Sequence, residues 1–147
     1  MATTRRSATF ADTPESLWAT VGDPYHLPRW WPGVQRVEDV DPDGFTEVLE
    51  SKKGKTVRAA FAVVEQTSPE RCRWRRKFSG TGFERILRRA EVTIELSSET
   101  RGAPDRVATR VTLTLRQLAG VQGLGTVRRA GRAELDEALA ELGRIHR

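Results

Sequence analysis

Three charged residues in this chain of 147 interrupt rows that otherwise read as buried, and they raise the first question about its chemistry. In RCRWRRKF, from Arg71 to Phe78, strand alternation puts Cys72, Trp74, Arg76 and Phe78 on one face and Arg71, Arg73, Arg75 and Lys77 on the other. In FERILRRAEVTIEL the same alternation groups Glu84, Ile86, Arg88, Ala90, Val92, Ile94 and Leu96. Arg76, Glu84 and Arg88 are the charged members of these apolar rows, and a charge on a buried face needs a partner. One reading joins them as structural ion pairs near strand ends. Another has them orient the polar end of an apolar ligand. A third gives them chemistry, with a guanidinium stabilising a developing enolate and Glu84 acting as general base.

Other catalytic schemes find little footing. The chain has one cysteine, Cys72, and two histidines, His26 and His146, far apart in sequence, which argues against disulfides and against a cysteine or histidine metal centre. No Ser-His-Asp arrangement, phosphate-binding glycine loop or metal-ligand spacing is evident, so neither metal nor cofactor is expected. Tyr25 and His26 fall in a helical turn, and the inward strand rows offer no His or Tyr. That weighs against the enolate reading and favours binding without catalysis. The formal net charge of +5, carried mostly by arginine, speaks to solubility and weak attraction to polyanions. Arg71, Arg73, Arg75 and Lys77, with SKKGK and VRRAGR, form a basic stripe that would bind nucleic acid in a steeply salt-dependent way. The stripe lacks the interleaved aromatics that single-strand binders stack on, so a solvated face is expected and nucleic acid ranks last. No run approaches the roughly 18 apolar residues of a membrane span, and the beginning of the chain lacks a signal-length apolar run, so a reducing, cytoplasmic setting is expected.

The elements that would position these residues follow from periodicity. SATF reads as a strand ending near Phe10. Asp12 or Thr13 can then cap a helix with Pro14 in its first turn and Leu17, Trp18 and Val21 on one face. Gly22 and Asp23 stop that helix, and Pro24 opens a second, irregular one toward Trp30. After Pro32-Gly33 the period changes to two, and VQRVEDV, GFTEVLE, TVRAAFAVVEQ, RCRWRRKF, FERILRRAEVTIELS and RVATRVTLTLRQ read as six strands joined by short turns. Neighbouring strands should pair antiparallel. Leu124, Val127, Gly131, Leu135, Ala138, Leu142 and Ile145 form one stripe of a long helix from about Val121 to Ile145. The stripe needs a partner, and only the sheet is large enough, which predicts an α+β fold with a curved seven-stranded antiparallel sheet gripping the C-terminal helix.

Three stretches carry a resemblance: TPESLWATVGDPYHLPRWWPGV, the paired final strands RAEVTIEL and RVTLTL, and the Gly-rich run into the last helix. Together they resemble the START-like, Bet v 1-like superfamily of polyketide cyclases, dehydrases and lipid-transport proteins. The resemblance spans nearly the whole chain. It implies a helix-grip fold, one ligand-binding domain over 1–147, and a hydrophobic cavity between sheet and long helix, with SKKGK and SGTG as entrance loops. The expected partner is a small hydrophobic molecule, a lipid or an aromatic polyketide. The alternative is an aromatase/cyclase-type enzyme. The residues expected to face such a ligand are Trp30, Phe61, Trp74, Arg76, Glu84, Ile86, Arg88, Leu113, Leu124 and Val127. Because neighbours in a short helix diverge, one of Trp30 and Trp31 should anchor the second helix on the sheet edge, and the other should lie at the cavity rim or surface.

Overall fold

Alternating apolar and polar residues yield seven strands: β1 (Ala2–Phe10), β2 (Val34–Asp41), β3 (Gly44–Glu50), β4 (Thr56–Thr67), β5 (Arg71–Arg76), β6 (Arg89–Ser98) and β7 (Thr109–Gln117). Helices α1 (Pro14–Val21) and α2 (Leu27–Trp30), linked by a 3₁₀ turn over Pro24–His26, follow β1, and α3 (Leu124–Ile145) closes the chain. The computed structural model describes residues 2–50, 53–77, 89–99, 106–118 and 124–146. Glu84, Ile86, Arg88 and the SGTG join lie outside them, as do the side chains of Leu124 and Val127.

The strands form one sheet in the order β1-β7-β6-β5-β4-β3-β2, and every neighbouring pair is antiparallel. From β2 to β7 the sheet is a meander of sequential neighbours, and β1 then lies beside β7. The local stops are those the sequence announced. Thr13 caps α1 by accepting the Ser16 N–H at 3.1 Å, Pro14 occupies its first turn, and Asp23 caps the 3₁₀ turn by accepting from the Tyr25 N–H at 3.0 Å.

The inner face of the curved sheet carries Phe45, Phe61, Trp74, Val92, Ile94, Leu113 and Leu115, which join Leu135, Ala138 and Leu142 of α3 and Leu17 and Val21 of α1 in one core. Burying a side chain such as Leu135 or Leu142 contributes about 1.5–3 kcal/mol, so the α3 stripe is what holds the helix to the sheet. The stripe contains Gly131 for a steric reason. A Cβ there would meet Gln117 Oε1 and come within 3.1 Å of Thr4 Oγ1, so a larger residue would have to displace these two buried side chains where α3 approaches β1 and β7.

The other end of α3 is tied down by hydrogen bonds. His146, just past the helix, sits with Nδ1 2.7 Å from Asp12 Oδ2 and Nε2 2.8 Å from Thr20 Oγ1. Asp12 also accepts from Ser16 Oγ at 2.9 Å and the Thr13 N–H at 2.8 Å, while its carbonyl accepts from Thr109 Oγ1 at 2.7 Å. Residues far apart in sequence thus form a Thr-His-Asp chain. Thr20 is only 6% exposed, which makes the chain a clamp between α1, β7 and the end of α3 rather than an exposed nucleophile. The His146 hydrogen bond holds the Asp12 carboxyl below its ordinary value, and the bonds from Ser16 and Thr13 add to it against a smaller opposing effect of burial.

Two expectations follow. Gly→Ala inside a helix ordinarily stabilises by up to about 1 kcal/mol. Gly131→Ala should instead destabilise, by about 1–3 kcal/mol, as overpacked sites do, read as a lower urea midpoint at unchanged slope. His146→Ala should cost about 1–2 kcal/mol by removing the hydrogen bonds to Asp12 and Thr20 and leaving the buried Thr20 hydroxyl without this partner. Because the Asp12 pKa is depressed on folding, its contribution is present above the unfolded value of about 3.9 and lost as pH falls through the folded one. Urea midpoints measured between neutral and acidic pH should therefore converge for wild type and His146→Ala at the acidic end.

Candidate functional site: a buried arginine beneath the long helix

The polar centre of the interior is Arg89. Its place follows from a β-bulge. Arg89 pairs with Gln117 and Glu91 with Arg116, so β6 takes two steps where β7 takes one, and Ala90 is the extra residue. Arg89 therefore shares the inner face with Val92, and Glu91 turns outward. Strict alternation, which put Arg88 and Ala90 in one inward row, fails at this point for that reason. Arg88 itself lies outside the described residues.

Opposite Arg89 stands Glu47 of β3. Its register against Ala59 puts it in the inner row Phe45–Glu47–Leu49, facing the row Val57–Ala59–Phe61 of β4. The Arg89 guanidinium grips this carboxylate with both ends, Nη2 donating to Oε1 at 2.6 Å and Nη1 to Oε2 at 3.1 Å. The third nitrogen, Nε, lies 3.4 Å from Glu134 Oε1 of α3, and that oxygen also accepts the Trp31 indole N–H at 3.1 Å. The guanidinium carbon is 5.3 Å from the Trp31 ring centre and 5.7 Å from that of Phe61. Side-chain exposure is 2% for Arg89 and 0% for Glu47, against 22% for Glu134, so Glu134 is the one charged member of the group that reaches solvent. Burial pulls the Arg89 pKa down, but the charges of Glu47 and Glu134 and the hydrogen bond to Glu47 outweigh it, leaving the guanidinium above its ordinary value and firmly charged.

Around this cluster the expected residues fall as follows. Phe61, Trp74 and Leu113 are buried on the inner face. Phe61 stacks on Phe45 at 5.5 Å, and Phe45 meets Trp74 edge-on at 5.1 Å. Arg76 is inward and buried beside Phe61, as alternation required, and is itself engaged in an interaction. Both tryptophans are buried, Trp30 at 1% and Trp31 at 2% exposure, which corrects the expectation that one lies at a rim or surface. Trp31 is the residue after α2, with extended backbone at φ −88° and ψ 125°, so helical divergence does not apply to it. Its ring turns inward to meet Trp30 edge-on at 5.3 Å.

Glu47, Arg89, Glu134 and Trp31 were not among the expected site residues. For Glu47 the signal was present, a lone acid in the row Phe45–Glu47–Leu49. Arg89 was hidden by the bulge. Glu134 adjoins the α3 stripe without belonging to it.

The remaining chemistry narrows the field. The basic stripe is cross-neutralised: Arg71 pairs with Glu65 and Glu95, Arg73 with Glu65 and Glu91, and Arg75 and Arg116 with Glu91. Each such surface pair stabilises by only about 0–1 kcal/mol, but together they offset most of the positive charge of the stripe that a nucleic-acid face would need. A depression on the outer side of the sheet, near Pro14 and Pro69, is lined by Arg5, Arg71, Glu95 and Arg110, groups already engaged with neighbours. Burial pushes the Cys72 thiol up to about 12, which leaves it a poor nucleophile. Among the described residues no group of three or more His, Cys, Asp and Glu could hold a metal ion, and no helix is long and apolar enough to cross a membrane.

The model of the polyketide cyclase/dehydrase and lipid transport family matches residues 1–146, and the chain belongs to that family. No curated protein matches its sequence. The fold is shared with several solved structures at low identity. A START superfamily protein from Mycobacterium smegmatis has a TM-score of 0.72 at 14% identity, covering 99% of this chain and 97% of that one. The protein XoxI from Bacillus cereus gives 0.75 at 13% identity, with 99% and 96% covered. A protein from Thermobifida fusca gives 0.70 at 20% identity, with 99% and 93% covered. At these identities the likeness establishes the helix-grip fold and no shared ligand.

A buried pair of this kind has a signature in double-mutant cycles. Arg89→Met alone should destabilise by about 3–5 kcal/mol, because Glu47 is left buried and uncompensated. Adding Glu47→Leu should recover most of that loss, since two apolar side chains leave no orphaned charge. Urea denaturation of the two single variants and the double variant reads the coupling directly.

Proposed function

We propose that this member of the polyketide cyclase/dehydrase and lipid transport family is a binding module for one small, largely apolar molecule. The molecule lies between sheet and α3, with its polar end at the Arg89 cluster. The observation that carries the reading is a doubly anchored guanidinium beneath α3 among aromatic side chains, with one carboxylate of its group, Glu134, partly open to solvent. A bare core does not need such a group, which costs desolvation without adding much stability. A binding site does, because a few fixed polar groups among aromatic walls orient a ligand. Trp30, Phe61, Trp74, Arg76 and Leu113 supply the inward walls in this reading. Glu84, Ile86, Arg88, Leu124 and Val127 remain candidates for the same lining. The family description and the START fold of the Mycobacterium smegmatis protein support a ligand of lipid or aromatic polyketide type.

Binding is favoured over cyclase chemistry by the state of the cation. Arg89 is bracketed by two carboxylates, so its charge is already neutralised, a poor setting for stabilising an enolate.

Native mass spectrometry of the purified protein, followed by extraction and identification of whatever co-purifies, tests the reading. The expected result is an apolar molecule near one per chain, or a saturable rise in Tm with lipids or aromatic polyketides, as ligand linkage requires. A clean apo mass with no thermal shift across such a panel would overturn it.

A further inference from the structure

The Arg89 cluster has a charge count and a geometry that select among ligands. Among the described residues one guanidinium pairs with two carboxylates, Glu47 and Glu134, so these three groups carry one negative charge in excess. Its two terminal nitrogens are held by Glu47, its Nε lies 3.4 Å from Glu134 Oε1 without making a hydrogen bond, and the rings of Trp31 and Phe61 approach it at 5.3 and 5.7 Å, so the cation itself is sealed from solvent at 2% exposure. The accessible group is the carboxylate of Glu134, pinned at Oε1 by the Trp31 indole and by Arg89. A ligand reaching the cluster from solvent therefore meets a hydrogen-bond acceptor bearing negative charge.

A second observation lies one ring away. The Trp30 indole N–H is buried, stands edge-on to Trp31, and has no hydrogen-bond partner among the described residues. An orphaned buried donor of this kind is costly unless something accepts from it. The polar surroundings thus offer an acceptor in Glu134 and an unused donor in Trp30. A hydroxyl group can donate and accept at once, whereas a carboxylate only accepts.

Resting on the binding reading above, we infer that the ligand presents an uncharged hydroxyl to Glu134 and that the same apolar body with a carboxylate head is rejected. The selectivity comes from like-charge repulsion in a low-dielectric setting, where a contact that water would screen becomes decisive. Glu134 is then the residue that sets head-group specificity, and Arg89 and Trp31 are the positioning residues that hold its carboxylate in place.

Isothermal titration of the full chain at neutral pH with para-butylphenol, para-butylbenzoate and butylbenzene decides the matter. The phenol is neutral there and the benzoate is charged. The expected result is that the phenol binds at least about tenfold more tightly than the benzoate, and more tightly than butylbenzene. In Glu134→Gln, which keeps an acceptor for the Trp31 indole but removes the charge, the gap to the benzoate should shrink to within about threefold. Benzoate binding as tight as the phenol, or butylbenzene matching it, overturns the hydroxyl inference while leaving the binding module standing. An undiminished gap in folded Glu134→Gln overturns it as well, because the selectivity then arises elsewhere. Failure of all three probes to bind overturns the binding reading beneath it. Should Glu134→Gln not fold, the wild-type ratios decide alone.

Discussion

A guanidinium sealed inside a protein has to be answered by fixed partners, and in this chain the answer to Arg89 comes from three separate elements. β6 contributes the cation, β3 the carboxylate that grips it, and α3 the second carboxylate, which the residue after α2 holds in turn. These contacts tie together parts of the sheet that are not neighbours: β6 and β3 have β5 and β4 between them in the sheet order. Such a pair adds little net stability over an apolar substitute, because desolvation offsets most of its attraction. What it does is fix relative placement. The helix, the far strands and the tryptophan turn have one arrangement in which all these partners are satisfied together, and the shape of the interior follows from it.

The fold was legible because its signals are periodic and redundant. Six runs of period two, a stripe stepping by three and four, and caps at Thr13 and Asp23 each point to the same architecture, so an error in any one would not change the outcome. The centre of the site was legible only in kind. Alternation marked Arg76 as a charged residue of an inward row, and Arg76 is buried there. It passed over Arg89 in β6, because a single inserted residue at Ala90 shifts the phase and no side-chain pattern announces it. Glu134 was beyond reach for a different reason. A helical residue one step off the stripe becomes interior only when another element covers that flank, and Trp31 does so through a backbone turn that spacing does not encode.

The outer face follows the opposite rule. Arginines dominate β5, yet Glu65, Glu91 and Glu95 stand across from them in β4 and β6, and the register converts an apparent basic stripe into a ladder of alternating sign. A charge count along one strand gave the wrong impression of this face because the cancelling charges come from its neighbours.

The clamp at His146 has a mechanical consequence. It holds α3 at its C-terminal end to Asp12 and Thr20, so any tilt of the helix that leaves those bonds intact turns about that end. At about 1.5 Å per residue, Glu134 lies roughly 18 Å from the pivot and the first turn of α3 roughly 33 Å. A tilt on the order of 5° then displaces Glu134 by about 1.6 Å and the far end by nearly twice as much, by the same rise per residue. A small rotation at one end is thus a lever acting on the other, and Glu134 rides on its middle.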